Sequence, residues 1–380
     1  MILNNLRMAL TGDPVNIRVA NGMIAEVLPS RFDTWPDRFN LDFDGAMVFP
    51  GLINSHDHLD FNLFQPLGDR IYSNYTEWGR YLHTNYKEDI NKVLQVPAPL
   101  REQWGVYKNL LNGVTTVINH GKKIKKTDGP ITVYEDCQSI HSVRFEKKWW
   151  LALNNPLKKN VTVAVHTGEG TDVSSKQEID TLLKCNLLKR SLVGVHGVAM
   201  NKEQANSFKA LVWCPESNDF LLNATAPINC LKIHVPILFG TDSTLTGSWN
   251  IWDHIRRARK TQYLTDEELL NTLTINAAEA WQLGSGEIAP YKSADLVIAN
   301  NKGNNADTFF SLNPEDILLA ISKGAISLFD GELHKQLKNI NTDNYSKVYI
   351  KGRCKYVTGD LPLLMQTIKQ YYPEADFPAI

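Results

Sequence analysis

Cysteine is scarce and scattered in this chain. The five residues, Cys137, Cys185, Cys214, Cys230 and Cys354, are widely spaced, odd in number and free of any C-x-x-C pair. That pattern excludes a disulfide framework and a thiolate zinc site, and it predicts buried thiols in a reducing compartment. A charge excess of either sign is also missing, since 40 Lys and Arg stand against 41 Asp and Glu. A balanced surface has no general pull on nucleic acid or anionic membrane, so the expected partner is a small molecule, with a homodimer as an option. No apolar run approaches the ~18 residues of a membrane span. The opening Met-Ile-Leu-Asn-Asn-Leu-Arg lacks the basic start and apolar core of a signal peptide, and a cytoplasmic location is expected.

What is present alternates. Near the start, Asn16-Ile17-Arg18-Val19-Ala20 and Met23-Ile24-Ala25-Glu26-Val27 flank Asn21-Gly22, a strong hairpin signal. From about 47 to 284, runs of strand length alternate with helical patterns: MVFPGLIN (47 to 54), GVTTVIN (113 to 119), VTVAVHTG (161 to 168), SLVGVHG (191 to 197), ALVWCPES (210 to 217) and VPILFGTD (235 to 242). Short apolar strands separated by helices imply parallel pairing. A capping box, Thr265 with Glu268, predicts a helix carrying Leu269, Leu270, Leu273 and Ala277, with Gly284 as its stop. Strand composition returns at 294 to 298 and 347 to 353.

The expected architecture is therefore an α/β fold, a (β/α)8-type (TIM) barrel over 47–284. A small β-sandwich domain is expected from residues 1–46 plus 285–360, and 361–380 form a C-terminal tail or helix. Too few residues separate Asn119 from His166 for two strands and three full helices, because each strand-plus-crossover unit needs ~30. The barrel is expected to be clipped between 120 and 160.

The chemistry starts at His56-Asp57-His58, directly after an apolar strand. Residues two apart on a strand face one side, so both imidazoles can meet one ion. Three further strands end in His166, His196 and Asp242, and catalytic groups of parallel barrels gather at the carboxyl ends of strands. A catalytic metal needs about three protein ligands with one position open.

In order and spacing, PGLINSHDH, GVTTVI, the His166-Thr167-Gly168-Glu169 box, His196, WCPESN, FGTDS and TINAAEAWQLG ahead of ADLVI resemble the amidohydrolase superfamily over residues 47 to 299. The His-x-x-Glu box and WCPESN look most like its branch of chlorohydrolases and of guanine, cytosine and S-adenosylhomocysteine deaminases. The resemblance implies one divalent metal, zinc favoured with iron or manganese as options, held by His56, His58, His166 and Asp242. His196 is either a further ligand or a hydrogen-bonding partner of the attacked group. Asp242 would accept the proton of the attacking water, and Glu169 would carry it to the leaving nitrogen. No lysine stands where a second metal would need a bridging group; Lys122, Lys123, Lys125 and Lys126 read as a solvated turn.

Substrate contacts are expected from Trp78, His120, His141, Ser217 and Asn218, whereas His83, His234, His254 and His334 read as structural or surface groups. The resulting expectation is deamination of an amino-substituted nitrogen heterocycle. Cyclic amide hydrolysis or halide displacement is the alternative within the superfamily, and a non-catalytic binding protein on the same barrel is the alternative of another class.

Overall fold

The structure, a computed structural model, describes residues 1–29, 39–124, 129–303, 306–337 and 341–379. Both chain ends join one ten-stranded sheet. Its hydrogen-bonded order runs Tyr345–Ile350, Arg353–Thr358, Ala325–Asp330, Ile317–Ser322, Leu296–Ala299, Met47–Pro50, Ile2–Met8, Pro14–Ala20 and Met23–Leu28, with Asn40–Asp42 beside Ile2–Met8. Inward residues from both halves, including Val15, Ile17, Ile24, Leu296 and Phe329, share one apolar cluster. The hairpin at Asn21-Gly22 forms with φ of 52° and 78°, the left-handed pair that a tight two-residue turn requires.

One expected strand is split. Residues 47–50 pair with Leu296–Ala299 in the end sheet, and Leu52–Asp57 begins the barrel. Gly51 is the joint, where an added Cβ would lie 2.2 Å from the Thr115 hydroxyl. Only a residue without a side chain permits so close a crossing.

The barrel wall is parallel throughout. Leu52–Asp57, Val114–Asn119 and Thr132–Tyr134 form one run, and Gln138–Ser142, Val163–Thr167, Leu192–His196, Ala210–Trp213 and Ile237–Phe239 form the other. A parallel bridge between Asp57 and Asp242 links their outer edges. The clip falls between 120 and 160, and its form is specific. Three residues join Thr132–Tyr134 to Gln138–Ser142, whereas side-by-side parallel strands need a crossover of a dozen or more. The two segments therefore act in succession as one wall element, the first paired with Val114–Asn119 and the second with Val163–Thr167. Strand is kept here and helix is lost: among the described residues between Asn119 and His166 only Trp149–Leu153 is α-helical.

Two further expectations change. The Thr265 capping box forms, but the helix breaks after Thr272 and restarts at Ile275, because the Ile53 N–H of the first barrel strand takes the Leu273 carbonyl at 2.7 Å. Its end is a left-handed Gln282, ahead of Gly284. Cys137 and Cys214 are buried, but Cys230 is exposed and Cys185 and Cys354 are half-buried, so burial does not describe all five thiols. Among the described residues no helix is long and apolar enough to cross a membrane.

Candidate metal centre and active site

Each strand end delivers its side chain to one place. His56 lies in the first barrel strand with His58 just beyond it, His166 lies in Val163–Thr167, His196 closes Leu192–His196, and Asp242 follows Ile237–Phe239. His56 Nε2 and His166 Nε2 approach to 3.1 Å. Asp242 Oδ1 is 3.6 Å from both His56 Nε2 and His58 Nε2. Two nitrogens and an oxygen at these separations, on buried side chains, fit a shared cation. His196 and Asp242 both adopt positive φ, 71° and 61°, a conformation rare for side-chain-bearing residues and found where structure is committed to a site.

Electrostatics agree with the geometry. Burial lowers His56 to about 4 and holds His166 and His196 below the usual imidazole range, keeping lone pairs free. Burial works against an ionised Asp242, but the hydrogen bond from His56 and the neighbouring His58 and His196 outweigh it and hold the carboxyl low. Glu169 behaves in the opposite way. It is 3 % exposed, and burial followed by the charges of Asp242 and Glu178 pushes its carboxyl well above the usual range. Its Oε2 stands 3.6 Å from His196 Nε2 and 3.8 Å from His166 Nδ1. A buried carboxyl whose pKa is raised above the usual range is suited to proton transfer.

Ser217 and Asn218 stand behind the cluster and not on a substrate wall. Both are fully buried. The Ser217 hydroxyl donates to Asp242 Oδ2 at 2.8 Å and Thr246 donates to the same oxygen at 3.0 Å, leaving Oδ1 to face the histidines. His196 Nδ1–H donates to Asn218 Oδ1 at 2.8 Å, which makes Nε2 the unprotonated nitrogen facing Glu169. These are supports of the kind that fix a ligand's orientation.

The cluster opens into a cavity of about 750 Å³, lined near the centre by His58, His141, His166, Glu169 and Asp242 and further out by Trp78, Phe61, Phe64, Leu82 and Phe145. Trp78 and His141 thus lie on the wall, as does Tyr75, while Tyr81 turns away to Asp69. His120 is buried beneath the cluster and off the cavity wall. The other histidines divide: His254 is buried against Glu216 and the Ser248 carbonyl, but His83 reaches the outer cavity wall. Lys122 and Lys123 are exposed, and Lys125 and Lys126 lie outside the described residues.

A network under the histidines was not anticipated. Asp57, between His56 and His58 in sequence, pairs with Lys108 Nζ at 2.9 Å and accepts from Asn109, Asn54 and Asn62, all buried. Its signal was available: Lys108 stands at helical spacing between Trp104 and Leu111, on a face otherwise turned inward.

An amidohydrolase family model matches residues 152–327. The chain is similar to a 5-methylthioadenosine/S-adenosylhomocysteine deaminase of Pyrococcus furiosus, 24% identical with 92% of this chain and 100% of that protein covered. Among solved structures, an adenosine deaminase from Xanthomonas campestris with bound zinc has a TM-score of 0.66 at 16% identity, covering 98% of this chain and 99% of that one. An atrazine chlorohydrolase from Arthrobacter aurescens TC1, complexed with zinc, has a TM-score of 0.67 at 16% identity, with 89% and 98% covered.

Proposed function

We propose that this chain deaminates a planar nitrogen heterocycle bearing an exocyclic amine, using one divalent ion, zinc favoured, held by His56, His58, His166 and Asp242. The observation that carries the reading is Glu169, a buried carboxyl with a raised pKa, set beside His196 Nε2 and opening on the aromatic cavity. A divalent ion in this cluster supplies Lewis acidity that makes water nucleophilic near neutral pH. Asp242 Oδ1 lies where it can take a proton from attacking water, its Oδ2 being fixed by Ser217 and Thr246. Glu169 passes a proton to the leaving nitrogen, and His196, held by Asn218, presents Nε2 to the attacked group. Trp78, Phe61 and Phe64 form an apolar surface for a flat ring, with His141 as a polar contact at the mouth. The named activities of the deaminase relatives support this class of substrate.

The test is a panel of aminopurines, aminopyrimidines, pterins and triazines assayed for ammonia, beside cyclic ureides and N-acyl amino acids assayed for ring opening or free amine. Ammonia release from the first group is expected. Turnover confined to the second would reject deamination.

A further inference from the structure

His120 follows the strand Val114–Asn119, and its backbone N–H donates to the Asp57 carbonyl at 2.8 Å, which locks it to the first barrel strand. Its side chain is 2 % exposed, and neither ring nitrogen has a hydrogen-bond partner. Buried polar groups left with no partner are rare and call for an explanation. Substrate does not provide one, because His120 is off the cavity wall. The groups around it are imidazoles: its ring centroid lies 4.6 Å from that of His166, 4.9 Å from His56 and 5.2 Å from His58. Ligating atoms of His56, His120 and His166 all fall within 4.8 Å of one another, as do those of His56, His58 and Asp242. The two triads overlap at His56, and the close His56 and His166 nitrogens bring the second triad onto the same centre.

We propose that His120 is a further ligand of the ion held by His56, His58, His166 and Asp242, giving a donor set of four imidazole nitrogens and one carboxylate oxygen. This rests on reading the cluster as a metal centre. Coordination satisfies one of the two orphaned ring nitrogens, which neither the backbone hydrogen bond nor the stacking on His166 does. It leaves the Glu169 and His196 side of the centre free for water and substrate.

X-ray absorption of the zinc-loaded wild-type protein, which needs no variant, is expected to count His120 among the imidazole scatterers. The His120→Asn variant, checked for folding by circular dichroism, should show one scatterer fewer. In cobalt-substituted protein, the weak visible bands of an ion with five protein donors and water should strengthen on His120→Asn, as one donor is lost. The metal dissociation constant should rise at least ~10-fold, the lower end expected even for a residue that only supports a ligand. An unchanged scatterer count and cobalt spectrum in folded His120→Asn would overturn the assignment while leaving the metal centre in place. Absence of zinc and cobalt uptake by the wild type would overturn both.

Discussion

The end sheet and the barrel mouth both bury ionisable groups, but they treat them differently. In the end sheet Lys355 is fully buried, and its ammonium donates to Asp330 Oδ2 at 2.7 Å and to the carbonyls of Glu315 and Ile317. All three of its hydrogens have acceptors. Nothing remains for a ligand, and the pair is architecture. At the barrel mouth Asp57 and Lys108 repeat that pattern one layer down. Directly above them, His196 Nε2 and both nitrogens of His120 have no hydrogen-bond partner. Leaving such groups unpaired costs ~1–3 kcal/mol each, so they mark where the protein expects something else. Buried polarity alone does not distinguish a site from a strut; orphaned nitrogens on clustered imidazoles do, because isolated unpaired atoms such as Arg18 Nε also occur in the end sheet.

Replacing the centre itself should have the largest effect. His166→Ala is expected to lose metal and turnover together, whereas Glu169→Gln should keep metal and lose ~100-fold or more in kcat, because the amide preserves shape but cannot carry a proton. Elemental analysis alongside steady-state kinetics checks both; near-normal turnover in Glu169→Gln would dismiss it as the proton carrier.

The strut should fail in another currency, stability. Lys355→Met removes the buried ammonium from Asp330 and leaves Arg353, at 3.3 Å, as its remaining cation; it is expected to destabilise the fold by ~1–3 kcal/mol, with kcat of the remaining folded protein unchanged. Urea unfolding with parallel kinetics reads this. A lowered kcat at full stability would erase the distinction between the two regions.

A smaller effect follows from pH. His56 has its folded pKa lowered from 6.5 to about 4 by burial. On acidification the unfolded chain therefore takes up the proton first, so stability is full above pH 6.5 and falls as pH drops toward 4. His56 alone should contribute a loss of up to ~3 kcal/mol in metal-free protein. The urea midpoint followed from pH 7 to 4 tests the sign, and a flat profile would mean that these imidazoles are not buried as neutral groups.

Much of the centre was legible because strand periodicity and barrel topology act locally. His56, His58, His166, His196 and Asp242 each end or follow an apolar run, and parallel strands bring such ends together whatever their separation in the chain. Ser217 and Asn218 were legible as important but not in their role. The helix Pro215–Leu222 turns both toward Asp242 and His196, and a side chain's direction depends on how its helix packs. The clip was visible as a shortage of residues. Its form was not, since the pairing of two successive short strands, one with each neighbour, is a property of the assembled wall.

By itself the sequence determined the alternation of strands and helices, the hairpin at Asn21-Gly22, the capping box at Thr265 and the residue types available for chemistry, because these depend on neighbours a few positions apart. The tertiary structure decided the division at Gly51, the break at Leu273, the pairing of Asp57 with Lys108 and the orphaned nitrogens of His120 and His196. Each of those depends on which groups lie within about 3 Å across the fold, a relation between distant segments that local pattern does not encode.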